Sequence, residues 1–180
     1  MKKSVLFAMF LGGVFAANAQ ATATDKVQLR VTLSPIQTIV VNASQKPVKL
    51  NYATVNDYND GVTSVNENHL TIYSTGGFEV KVKSDEDNLS NSDNLTTIAS
   101  NTITLTPSAG VRPLGGTVTH YTPVTLSKAG KTLITSNAGG FDKTVHVNYA
   151  GAGLQAYINN YETGKSNIFT TNVTYTIVAN

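Results

Sequence analysis

The chain has 180 residues, with 13 Lys+Arg against 11 Asp+Glu and no cysteine. Two of the basic groups, Lys2 and Lys3, lie in an N-terminal stretch that reads as a cleavable leader, so 11 basic residues balance 11 acidic ones in the rest. That near-neutrality excludes a basic field for nucleic acid or an anionic membrane. The missing cysteines exclude disulfides, thiolate metal sites and a lipidated anchor.

The leader is predicted over 1–19. Lys2 and Lys3 form its positive end, Val5 to Ala17 its apolar core, and Ala17-Asn18-Ala19 the small-residue cleavage site, which makes Gln20 the first mature residue; Ala19-Gln20-Ala21 fits the same rule and would place the cut two residues later. Its apolar run of roughly 13 residues falls short of the about 20 that span a bilayer, so stable membrane insertion is not expected. The destination is the periplasm, the cell surface or the medium. Residues 20–180 are expected to form one domain that is stabilised by packing and backbone hydrogen bonds alone.

In chain order, Val27, Leu29, Val31 and Leu33 alternate with polar residues and predict a half-buried strand at 26–33. Ser34-Pro35 ends it, because Pro donates no ladder hydrogen bond. Ile36 to Val41 and Val48 to Tyr52 predict two further strands, and Asn59-Asp60-Gly61 a tight turn. His69 to Ser74 and Phe78 to Lys83 alternate on either side of Thr75-Gly76-Gly77 and predict a hairpin, with Phe78, Val80 and Val82 facing the core. Ser84 to Asn94 is an acidic, polar loop without the Gly and terminal Glu of a calcium-binding loop. Strands follow at Thr102–Thr106, within Thr117–Leu126, at Thr132–Thr135 and at Lys143–Tyr149. Ala156 to Tyr161 is ambiguous, and Ile168 to Val178 closes the chain with Val173, Tyr175 and Ile177 alternating. Nine or ten short strands with turns between them, and no helical period, predict an all-β, Ig-like two-sheet antiparallel sandwich.

Chemistry is sparse. His69, His120 and His146 have no metal-ligand spacing and are expected at exposed or edge positions, His146 turned away from Val145 and Val147. No nucleophile motif is present, and the Gly-rich pieces precede no helix. We therefore assign no catalytic residue, no metal ligand and no cofactor. Among the tyrosines, the cluster Tyr157-Ile158-Asn159-Asn160-Tyr161 supplies the candidates for ligand contact, Tyr157, Asn159 and Tyr161, with a glycan as the ligand class.

The order Val27 to Leu33, Ser34-Pro35-Ile36, then Val48-Lys49-Leu50-Asn51-Tyr52 resembles the N-terminal region of the major subunits of class 5, alpha-clade chaperone–usher pili. Gly77 to Val82 is similar to that family's core hairpin strand, and Asn172 to Val178 to its final strand. The closing strand also resembles WxL-type cell-wall domains, with Tyr175-Thr176-Ile177 where those carry Trp-x-Leu. The pilin resemblance implies a non-enzymatic subunit whose partners are copies of itself or related subunits and a periplasmic chaperone. It also implies that Val27, Leu29, Val31 and Leu33 close a core by strand exchange. From the residues alone, the same strand could equally pair within its own chain.

Overall fold

The computed structural model describes residues 22–93, 96–116 and 119–180; the leader at 1–19 lies outside them. The chain divides at Leu33/Ser34 into two units.

In the first unit, residues 22–33 have no regular secondary structure, and Val27, Leu29, Val31 and Leu33 are 94%, 87%, 75% and 89% exposed. The strand expected at 26–33 is therefore not formed. The alternating pattern is present, but an extended segment becomes a strand only when a neighbour completes its ladder, and no ladder among the described residues includes this one.

The second unit, residues 34–180, contains eleven strands: β1 (Gln37–Val41), β2 (Val62–Ser74), β3 (Phe78–Ser84), β4 (Asn88–Ser90), β5 (Thr97–Ala99), β6 (Ile103–Ala109), β7 (Thr119–Tyr121), β8 (Val124–Thr125), β9 (Lys131–Ser136), β10 (Gly140–Gly151) and β11 (Val173–Ala179). One antiparallel sheet has the order β1-β2-β10-β6-β8, a second β11-β3-β9-β7, and β4 pairs with β5 alone. The two larger sheets share one core. Leu70, Ile72, Leu105, Val145, Val147 and Tyr149 come from the first, and Phe78, Val80, Val82, Leu133 and Ile134 from the second. The protein is an all-β, two-sheet sandwich, as its composition predicts.

Period-2 alternation sets which face of each strand is buried. Phe78, Val80 and Val82 are buried while Lys81 and Lys83 are exposed. Where the period breaks, a bulge is responsible. Val80 and Lys81 on β3 stand opposite Ile134 and Thr132 on β9, so Leu133 is the extra residue, and both Leu133 and Ile134 turn inward.

Several expectations are corrected. Residues 69–74 and 78–83 do not form a hairpin, because β2 and β3 belong to different sheets. Their buried faces look at each other across the core, and Thr75-Gly76-Gly77 is the corner between layers. Ser74 Oγ donates to Gly76 O at 2.8 Å within that corner. Residues 48–52 form no strand, although Val48 and Leu50 still pack on the core.

The turn expected at Asn59-Asp60-Gly61 is the end of a short helix, α1 (Val55–Asp60). Thr54 caps it by accepting from Asp57 N at 3.3 Å, and Asp57 Oδ2 accepts in return from Thr54 N at 2.7 Å. Gly61, at φ +85°, terminates it. Residues 156–161 form turns and a 3-10 segment at Ile158–Asn160 rather than a strand.

The corner at 75–77 packs on a second inter-sheet corner, residues 137–139, between β9 and β10. A Cβ on Gly139 would collide with Ser74 O and with the backbone of Thr75 and Gly76. Gly139→Ala is expected to destabilise the sandwich by about 1–3 kcal/mol, the usual cost of overpacking, read as a lower urea midpoint with unchanged slope.

Candidate functional site

Two strands end the large sheets on the same side of the sandwich: β1 in one and β11 in the other. Among the described residues each has a ladder on one side only, β1 to β2 and β11 to β3. They run alongside each other with Cα atoms within 8 Å, yet no ladder joins them. The alternation of β11 points Val173, Tyr175 and Ile177 at the core, but all three are only half-buried, as are Ile39 and Val41 on β1. One strand further in, Phe78 and Val80 on β3 are wholly buried. The core is therefore less completely covered along this seam than one strand deeper.

A buried polar chain crosses the sandwich behind the seam. Gln45 Nε2 donates to Glu67 O at 2.8 Å, which fixes the amide orientation and leaves Gln45 Oε1 to accept from His69 Nδ1–H at 2.7 Å. His69 Nε2 is then an acceptor, to which the Tyr149 hydroxyl donates at 3.0 Å, and Tyr149 in turn accepts from the Tyr175 hydroxyl. Every donor points one way along this chain, from β11 through β10 to β2. Burial pushes the Tyr149 hydroxyl up to about 12 and raises that of Tyr175 further, so both stay neutral.

His69 is 1% exposed, against the expectation of an edge position. The reason is a bulge. Val145 and Val147 on β10 stand opposite Leu70 and Asn66 on β2, so β2 carries extra residues there, and Asn68 adopts φ +49°. His146 serves the same bulge, since its Nδ1 accepts from Asn68 N at 2.8 Å. It lies on the face opposite Val145 and Val147, as expected, but is half-buried.

Burial, with a smaller contribution from Lys46, holds His69 down to about 4 from 6.5. A folded-state value below the unfolded one means that stability is complete above pH 6.5 and is lost as pH falls towards 4. Unfolding free energy is expected to fall by about 2–3 kcal/mol between pH 7.5 and 4.5 on account of this residue. Urea titrations at both pH values check it, and His69→Gln should remove most of the difference.

The predicted ligand contacts separate. Tyr157 is buried, packs edge-on against Tyr52 at 5.0 Å between ring centroids, and donates to Thr102 Oγ1 at 2.7 Å. It is a packing residue of this end of the fold and offers no surface to a ligand. Asn159 is exposed and Tyr161 is 62% exposed, but they do not share a platform with Tyr157. Among the described residues no cluster of His, Asp and Glu is arranged to hold a metal ion, and no helix is long and apolar enough to cross a membrane.

A different aromatic pair escaped sequence reading. Three residues on β10, Phe141 to Lys143, cover two on β2, with Asp142 at φ +52°. Arg112 clamps that bulge, donating from Nε to Asp142 O at 2.7 Å and from its guanidinium to Asp142 Oδ1 at 3.1 Å. Phe141 is thereby turned outward, 76% exposed, edge-on to Tyr73 at 5.4 Å. The two rings, with Thr38, Val40, Thr71 and Asp142, line a shallow cleft of about 180 Å³.

No protein-family model and no curated protein matches the chain.

Proposed function

We propose that this chain is a non-enzymatic, exported structural subunit of a surface fibre, built by β-strand exchange between subunits. The observation that carries this reading is the half-covered seam between β1 and β11, whose core-facing residues lack the cover given to their neighbours on β3. The alternating segment Val27 to Leu33 has the shape to supply that cover. Its four apolar side chains recur at a period of two, so that in an extended strand they would face one way, as Val173, Tyr175 and Ile177 do on β11. Burying them is worth roughly 6–12 kcal/mol before entropy, and an unpaired apolar edge left open would invite aggregation. The likeness to pilin subunits agrees with this reading and adds a periplasmic chaperone as the guardian of the seam before assembly.

Deleting residues 22–33, or replacing Leu29 with Asp, is expected to abolish filaments on cells that express the protein. Electron microscopy reads the result, and unchanged filaments would sink the proposal. Because Leu29 is exposed in the subunit, Leu29→Asp should leave its circular dichroism spectrum intact.

A second reading is favoured by the Phe141–Tyr73 pair. Exposed aromatic rings beside the Thr38 and Thr71 hydroxyls suit the apolar face and polar rim of a sugar ring, so an envelope or secreted module that binds glycan or peptidoglycan is the alternative. It predicts retention of the purified protein on glycan arrays or cell wall, and at least a tenfold loss on Phe141→Ala, about 1.4 kcal/mol of contact. No retention on any of them removes it.

A further inference from the structure

We infer that the Ser34-Pro35 step, together with the anchoring of Ile36 on Thr75, bars residues 26–33 from closing their own seam; this rests on the strand-exchange reading above. The argument starts from the ends of the edge strands. Gln37, the first residue of β1, is opposite Ser74, and Ala179, the last of β11, is opposite Phe78. Ser74 and Phe78 are joined by the short corner 75–77, so β1 begins at the end of the sandwich where β11 finishes. The two edge strands therefore run in opposite directions along the seam.

Ile36 is fixed at that end. Its N–H donates to Thr75 Oγ1 at 3.0 Å, and its carbonyl accepts from Thr75 N at 3.0 Å. A segment that keeps all of residues 26–33, Leu33 included, paired beside β1 must then reverse within two residues, Ser34 and Pro35, to lie antiparallel to it. Two-residue reversals between antiparallel strands use turns with positive φ at one or both central positions. Pro35 is locked near −65° and cannot supply it, and Pro also drives the residue before it, Ser34, towards extended backbone.

The remaining turn that admits Pro at the second central position needs a cis bond, the less populated isomer of an X-Pro step. Lying beside β11 instead offers no escape, because the same polarity would make that pairing parallel, the weaker arrangement. The segment of a second copy meets none of these obstacles, since it reaches the seam without a link to Ile36. The step thus acts as a specificity device that works by excluding the wrong partner, the chain's own strand.

The test replaces the step with a sequence built for reversal, Ser34→Asn with Pro35→Gly, in the full chain. The wild type is expected to give a heat-labile ladder of multimers on a gel. The double variant is expected to lose the ladder, run as a monomer, and melt about 5 °C or more above the 22–33 deletion. Adding Leu29→Asp to the double variant should cancel that gain, which ties it to closure by the N-terminal segment. A four-residue Gly/Ser insertion between Pro35 and Ile36 should act in the same direction, independently of the turn sequence. A ladder from the double variant and the insertion as strong as that of the wild type overturns the inference and leaves strand exchange standing. A wild type with no ladder, and with a melting point unaltered by deleting 22–33, overturns the strand-exchange reading and this inference with it.

Discussion

A strand at the edge of a sheet carries a row of N–H and C=O groups with no partner, and where it also lies over a core its inward side chains lack cover on one flank. β11 is in that position along its whole length. Residues Val173 to Ala179 spend one row of hydrogen bonds on β3 and, among the described residues, have no ladder on the other side. In a domain without cysteine, nothing covalent can compensate for such a weakness. The completeness of the sandwich therefore depends on what sits beside β11. The half-buried row on β11, its neighbour β1 and the backbone anchor at Ile36 gather around that strand.

The polar chain from Tyr175 to Gln45 compensates in part. With little apolar cover on its open flank, β11 is held to the opposite sheet by a hydroxyl handed through Tyr149 to a neutral histidine. Each group in the series is satisfied by the next, which is the condition under which buried polar groups cost little. The arrangement requires His69 to face inward from a strand whose alternation would not place it there, and the bulge at Asn68 provides that turn. His146 then accepts the N–H of Asn68 in place of a carbonyl. The three elements, bulge, relay and substitute acceptor, are one structural solution spread over β2, β10 and β11.

That solution also marks the limit of what the linear pattern can convey. Alternation assigned the buried faces of β3, β10 and β11 correctly because it depends only on the pleat of the strand itself. It failed wherever the answer depended on a partner far away in sequence. Phe78 to Lys83 looked like the second arm of a hairpin, but its ladders are with β9 and β11, and no local signal distinguishes a hairpin from a corner between sheets. His69 and Phe141 were invisible for the same reason, because bulges at Asn68 and Asp142 invert the facing of residues that simple counting would place. Tyr157 keeps company with Asn and Tyr in the sequence, yet its ring packs on Tyr52 and its hydroxyl bonds Thr102. Of the missed elements, α1 alone had a local signature, the Thr54-x-x-Asp57 capping pair followed by Gly61.

Residues 26–33 invert the usual relation between pattern and structure. Their alternation is as clean as that of β3, and β3 buries its apolar face completely while Val27, Leu29, Val31 and Leu33 remain exposed. Sequence alone therefore specifies a strand's chemistry without specifying its sheet. The two segments also differ in how they are connected. β3 enters its layer through a glycine-bearing corner that permits the turn, whereas 26–33 are joined to β1 through Pro35 and an immobilised Ile36. On the proposed strand exchange, the proline at this junction sets which molecule's core the preceding segment enters.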